Sequence, residues 1–99
     1  MQNIIWDNVP GTEFQKSVWR ELLNITRGQT ISYSELAKRI GRPNAVRAVA
    51  NAVGKNPFAP VVPCHRVICS DGSIGGYSGK GGVDTKKKLL KMEGVKIFS

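Results

Sequence analysis

Between Asn56 and Pro60 the chain reads Asn56-Pro57-Phe58-Ala59-Pro60. Proline lacks a backbone donor and disfavours helical geometry in the residue before it, so no helix runs through this stretch. It separates a stretch of the 99-residue chain patterned for three short helices from one of apolar runs, turns and glycines that ends in a further helical pattern. That length suits one domain with one core, residues 1–99, without an internal boundary, repeat or low-complexity tract.

In the first half Thr12 and Gln15 have capping-box spacing, and Phe14, Val18, Leu22 and Ile25 then recur every three or four positions. The pattern predicts an amphipathic helix over about Glu13 to Ile25. Ser32 and Glu35 repeat the capping spacing before Leu36, Ala37 and Ile40, with Gly41 placed to stop a second, shorter helix. Pro43 is tolerated in the first turn of a third, which runs through Val46, Val49, Ala50 and Val53 to Gly54. Two short helices joined by Gly41-Arg42-Pro43 read as a helix-turn-helix. On the third helix Arg47, Asn51 and Lys55 stand four residues apart and form a polar stripe flanked by Ala48 and Ala52. Such a stripe is either a solvated face or a set of donors that reach phosphates and base edges, the small alanines permitting close approach to a groove.

Past the proline-rich loop comes Pro63-Cys64-His65-Arg66-Val67, which holds the only histidine and one of two cysteines. A thiol is a few per cent thiolate at neutral pH, and a neighbouring base raises that fraction, so Cys64 is the leading candidate nucleophile. The competing reading is a buried cysteine acting as a small hydrophobe. Val67-Ile68 is strand-like and Ser70-Asp71-Gly72-Ser73 is a turn, which together suggest a small β-hairpin. Gly75-Gly76-Tyr77-Ser78-Gly79-Lys80-Gly81-Gly82 lacks the Gly-Lys-Ser/Thr ending of a phosphate-binding loop, and reads as a lid, a pocket wall or a plain flexible loop.

A last helix is expected from about Asp84 to Glu93, with Leu89 and Leu90 buried and Gly94 as its stop. On that spacing Lys86, Lys87, Lys88 and Lys91 point largely outward, while Glu93 lies along the apolar stripe. A carboxylate there either turns to water or hydrogen-bonds His65, fixing its tautomer and raising its basicity.

Fifteen Lys and Arg against seven Asp and Glu give a net charge of +8, spread from Lys16 to Lys96. Such a surface suits a polyanion, nucleic acid first, although solubility or an anionic membrane also fits positive charge. No apolar run reaches membrane-spanning length, and the N-terminus lacks the features of a signal peptide, so a cytoplasmic protein, or a nuclear one in a eukaryote, is expected. Cys64 and Cys69 are too few for a disulfide framework. With His65 they offer three donors without a fourth, so no metal is expected. A cysteine-histidine hydrolase or redox protein lacks support, since there is no Cys-x-x-Cys and sequence-adjacent Cys and His seldom form the required dyad.

Taken together, Phe14-Gln15, Val18-Trp19, Gly28-Gln29-Thr30-Ile31-Ser32-Tyr33, Leu36-Ala37, Ile40-Gly41, Arg47-Ala48-Val49, Asn56-Pro57, Pro63 to Val67 and Gly76-Tyr77-Ser78-Gly79 resemble the C-terminal, active-site domain of the O6-alkylguanine-DNA alkyltransferases. The resemblance covers about Phe14 to Glu93. It implies a mainly α, winged-helix-like helix-turn-helix domain with a small hairpin, acting as a monomer on double-stranded DNA that contains O6-alkylguanine, with no cofactor. The family's N-terminal domain has no counterpart here, so the chain is expected to be either a single-domain member or a fragment.

By the same resemblance Cys64 takes the alkyl group irreversibly, His65 removes the thiol proton through a water, Glu93 orients His65, and Asn56 braces the turn. Tyr33 and Ser78 would hydrogen-bond guanine N3 and O6, with Val67 and Tyr77 completing the base-binding set. Arg47 would fill the gap left by an extruded nucleotide, while Ala48, Asn51 and Lys55 meet the minor groove. O6 is hidden within a duplex, so extrusion is required and costs a few kcal/mol. The alternative implied by the resemblance is an alkyltransferase-like module, which binds such lesions without repairing them and carries tryptophan where Cys64 stands.

Overall fold

The computed structural model describes residues 5–58, 62–77 and 81–95. Its elements are α1 (Glu13–Leu22), β1 (Ile31–Ser32), α2 (Tyr33–Arg39), α3 (Val46–Gly54), β2 (Val67–Ile68) and α4 (Gly82–Met92), with short 3-10 turns at Trp6–Asn8 and Cys64–Arg66.

The capping box expected at the start of α1 is present. Thr12 Oγ1 accepts from Gln15 N at 3.1 Å and Gln15 Oε1 accepts from Thr12 N at 2.9 Å, satisfying two donors that helix geometry leaves free. The helix closes at Leu22, three residues short of the expected Ile25, because Leu23 N turns back to Arg20 O in a tighter bond. Ile25 is nonetheless buried, as its spacing implied. At α2 only half the box forms: Ser32 Oγ accepts from Glu35 N at 3.0 Å.

Gly41, at φ +76°, lets Arg42 N return to Ala37 O, a Schellman closure that ends α2. Pro43 then sits in a turn closed by Ala45 N to Arg42 O, so it lies ahead of α3 rather than in its first turn. A fixed proline φ suits the second position of such a turn. α2 and α3 form the expected helix-turn-helix, and α1 packs across both.

The core runs through Val18, Trp19, Leu22, Leu36, Ala37, Val49, Ala52, Val53, Val62 and Val67. Trp19 fastens α1 to α3 by donating Nε1–H to Ala52 O at 2.8 Å. Ala52 is therefore buried against α1, and of the two alanines only Ala48 remains on the exposed face with Arg47, Asn51 and Lys55.

The two strands pair with each other in parallel, Ile31 with Val67 and Ser32 with Ile68, so the small sheet is not a hairpin. Parallel pairing needs a long crossover, and the helix-turn-helix provides it. The turn over Ser70–Ser73 is real, with Cys69 N donating to Ser73 O, but no second strand follows among the described residues. This pairing puts Tyr33, the first residue of α2, on the same side as the turn that carries Cys64.

Trp19→Phe keeps most of the buried ring area and removes one buried donor, leaving Ala52 O short of a partner. Urea denaturation should show a loss of about 1–3 kcal/mol with little change in m-value.

Candidate active site

Pro63 has φ −83° and ψ 67°, the inverse γ-turn, and Cys64 N donates to Val62 O at 2.8 Å across it. Proline suits this geometry because its ring already holds φ near that value. The turn runs directly into the 3-10 turn Cys64–Arg66, and Arg66 N closes it on Pro63 O. Asn56 braces the approach. Its Nδ2 donates to Val62 O at 2.7 Å, and its Oδ1 accepts from Phe58 N at 2.9 Å.

Cys64 is 3 % exposed and lies in the wall of an open cavity of about 510 Å³. Tyr33, Cys69, Gly75, Gly76 and Tyr77 line one part of that cavity, and Ala50, Asn51, Val53 and Gly54 of α3 line another. Its volume is in the range of small-molecule sites. Burial pushes the Cys64 thiol up, and a hydrogen bond from Asn56 together with the charge of Lys86 works the other way. Burial also raises the Tyr33 phenol, with Cys69 and Cys64 adding to the effect, so Tyr33 stays a hydrogen-bond donor at neutral pH. Tyr77 is raised by burial and by Cys64 in the same sense.

Behind the cysteine stands a charged cluster. Glu93, the C-cap of α4, accepts on Oε2 from Arg66 Nη2 at 2.8 Å, and the same oxygen lies 3.0 Å from His65 Nε2. Arg66 Nε donates to Oε1 at 2.9 Å, and its Nη1 reaches Ile25 O at 2.7 Å. Gly94, at φ +80°, ends α4 by allowing Val95 N to bond Leu90 O, which holds Glu93 at the helix end facing this turn. Hydrogen bonds from Arg66 and His65, against the opposing effect of burial, bring the Glu93 carboxyl down to about 2. An ionised carboxylate only accepts, so His65 Nε2 bears the hydrogen. His65 Nδ1 is then the lone-pair nitrogen, and it is buried with no hydrogen bond within the described residues. Burial lowers the His65 pKa, with Glu93 opposing and Arg66 and Lys86 adding to the decrease.

Lys86 reverses the expectation that it points outward. It is fully buried, and its Nζ donates to Val67 O at 2.7 Å and Gly76 O at 3.0 Å, 5.9 Å from the centre of the Tyr33 ring. Burial lowers its pKa to about 8, against the pull of Cys64 and Cys69. Lys86 thereby ties the glycine-rich segment to β2 and fixes one wall of the cavity. Nothing in the run Lys86-Lys87-Lys88 distinguishes this lysine from its neighbours.

The remaining expected residues divide. Tyr77 lines the cavity, whereas Val67 is a core residue whose carbonyl, not its side chain, serves the site. Arg47 and Ala48 on α3, and Lys55 just after its end, are exposed outside the cavity wall. Asn51 belongs both to that outer face and to the cavity. Ser78 lies outside the described residues. Arg66 had no expected role, although a guanidinium next to the only histidine, with one inward glutamate to find, is a readable signal.

The site is thus a buried cluster of ionisable side chains next to a thiol, opening on a cavity edged by a helix-turn-helix. The profile described as "6-O-methylguanine DNA methyltransferase, DNA binding domain" matches residues 13–95, and the chain belongs to that family. A methylated-DNA–protein-cysteine methyltransferase of Methanosarcina acetivorans is 55% identical over 84 residues, covering 85% of this chain and 53% of that protein. Mycobacterium tuberculosis OGT in complex with DNA superposes with a TM-score of 0.82 at 50% identity, over 87% of this chain and 52% of the other. S. pombe Atl1, in complex with damaged DNA containing O6-carboxymethylguanine, superposes with a TM-score of 0.78 at 32% identity, over 92% and 84%. The chain spans about half the length of the curated methyltransferases it matches.

The Glu93 cluster makes stability depend on pH in a definite direction. A carboxyl near 4.5 when unfolded and about 2 when folded contributes about 3 kcal/mol that is present above the unfolded value and lost as pH falls from there towards 2. His65, held below its ordinary 6.5, adds an earlier decline, because protonation favours the unfolded chain. Urea titrations at stepped pH should show stability falling below pH 6.5 and again below 4.5. Glu93→Gln should be less stable at pH 7 and should lack the lower step.

Proposed function

We propose that this domain repairs alkylated guanine in DNA by direct, stoichiometric transfer to Cys64, and that it is the active-site half of its longer relatives. The carrying observation is that Cys64 opens on a cavity lined by Tyr33, while the next residue, His65, is held through Nε2 by Glu93, itself paired with Arg66, and keeps Nδ1 unpartnered among the described residues. His65 Nδ1 receives the thiol proton through a water, and Glu93 stabilises the imidazolium that results. Sγ attacks the alkyl carbon on guanine O6, the carbon–oxygen bond breaks, and a thioether forms. Charge that gathers on the purine is met by the phenol of Tyr33 at N3 and by Ser78 at O6, and one proton returns to give unmodified guanine. The thioether is not hydrolysed, so each chain acts once.

The DNA partner is double-stranded and is approached through the exposed face of α3 in the minor groove. Arg47 enters the stack vacated by the flipped nucleotide, and Ala48 leaves room for the backbone. Asn51, shared between that face and the cavity, follows the nucleotide inward, and Lys55 neutralises phosphate. The domain acts as a monomer, in the cytoplasm or, in a eukaryote, the nucleus.

A lesion-binding module without transfer is the second reading, favoured by the match to Atl1 over 84% of that chain's length. The free thiol of Cys64 in the cavity wall argues for transfer.

Intact-protein mass spectrometry after incubation with duplex DNA containing O6-methylguanine, followed by peptide mapping, separates the two. Repair predicts one added methyl per chain, on Cys64, and Cys64→Ala should bind the lesion without gaining it. An unchanged mass with the lesion bound would favour the second reading, and an unchanged mass with no binding would reject both. Arg47→Ala should slow transfer from duplex roughly tenfold, about 1.4 kcal/mol, with little effect on transfer from the free modified base.

A further inference from the structure

The cluster behind Cys64 poses a problem for a base. A carboxylate against His65 orients the ring, but its charge also favours a second proton on the imidazole, and imidazolium has no lone pair with which to accept from a thiol. We propose that Arg66 is the positioning residue that resolves this: it neutralises Glu93 while leaving Oε2 to accept from His65 Nε2, so the carboxylate fixes the tautomer without holding His65 protonated. The inference rests on the reading of His65 as the base in transfer.

The contacts are those of a guanidinium. Arg66 spends Nε on Oε1, Nη2 on Oε2 and Nη1 on Ile25 O, so three edges of its fork are engaged at 2.7–2.9 Å. This is the side-on, two-point pairing that a planar guanidinium makes and an ammonium cannot. Glu93 Oε2 lies in both contacts, since it bonds Arg66 and faces His65. The contact to Ile25 O anchors the fork to the segment beyond α1, so the charge cannot swing away from Glu93.

The charges facing His65 are few. Glu93 comes from the end of α4, Lys86 from the body of α4 and Arg66 from the same turn as His65. α1, the other helix against this turn, turns Val18, Trp19 and Leu22 to the core and adds no charge there. Arg66 and Lys86 disfavour imidazolium and Glu93 favours it, while burial favours the neutral ring. Loss of Arg66 alone tips this balance towards the charged form.

His65 is the only histidine, so its titration can be followed by NMR without site assignment. Two variants separate charge from shape: Arg66→Gln keeps a hydrogen-bond donor and loses the charge, while Arg66→Lys keeps the charge and loses the fork. In Arg66→Gln the His65 midpoint should move up, and the acid limb of the single-turnover pH profile should move up with it. In Arg66→Lys the midpoint should stay near that of the wild type. Midpoints that move equally in both variants, stay put in both, or fall in Arg66→Gln would overturn the proposal, leaving Arg66 a purely structural brace. Because the NMR midpoint does not depend on methyl transfer, a chain that fails to transfer refutes the functional reading while this comparison still decides the role of Arg66. Should Arg66→Gln fail to fold, Arg66→Met serves as the neutral variant, with the same expected rise.

Discussion

One carboxylate, Glu93, joins three separate parts of the chain. It sits at the end of α4, meets His65 and Arg66 in the turn that carries Cys64, and through Arg66 is connected to Ile25 beyond α1. A buried ion pair is weak evidence of stabilisation, because desolvation can consume its Coulombic gain, but removing one partner leaves the others uncompensated. The turn therefore depends on all members being present. What the arrangement secures is orientation: an ionised acceptor at Nε2 leaves Nδ1 as the only lone pair His65 can offer.

A second buried charge holds the opposite wall. Lys86 satisfies two of its three N–H groups on Val67 O and Gly76 O, so it ties the glycine-rich segment at Gly76 to β2, while Tyr77 packs against the core. The positive charge also lies close enough to favour a thiolate at Cys64 when one forms. Burial opposes that thiolate at rest. Burial accordingly favours a neutral thiol at Cys64 and a neutral ring at His65. The parallel pairing of β1 with β2 then joins this machinery to the helix-turn-helix, so Asn51, at the edge of the helix face expected to meet DNA, and the cysteine border one cavity.

Much of this could be read from local patterns. The capping box at Thr12, the helix-turn-helix spacing around Gly41 and the inward position of Glu93 all depend on residues within a few positions of one another, where periodicity is informative. The contact between His65 and Glu93 was one of two readings of that carboxylate, the other being a side chain turned to water, and the 3.0 Å separation decides between them. Three features needed the fold. The partner of Val67 in the sheet is Ile31, far away in the chain, and a strand beside a turn reads as a hairpin when only neighbours are considered. Ala48 and Ala52 look alike in sequence, and only the Trp19 bond decides which is buried. Lys86 lies in a run of lysines whose usual place is a solvated face, and its inward turn depends on two carbonyls brought from other segments.

The mechanism rests on Cys64 being a buried thiol that is protonated at neutral pH. Its most direct test is the pH dependence of Cys64 alkylation by iodoacetamide, resolved from Cys69 by peptide mapping. The structure predicts slow modification at pH 7 and a rate that climbs only above the ordinary thiol range, since burial outweighs the help from Asn56 and Lys86. A rapid rate already on its plateau below pH 7 would reveal a resting thiolate and contradict the account.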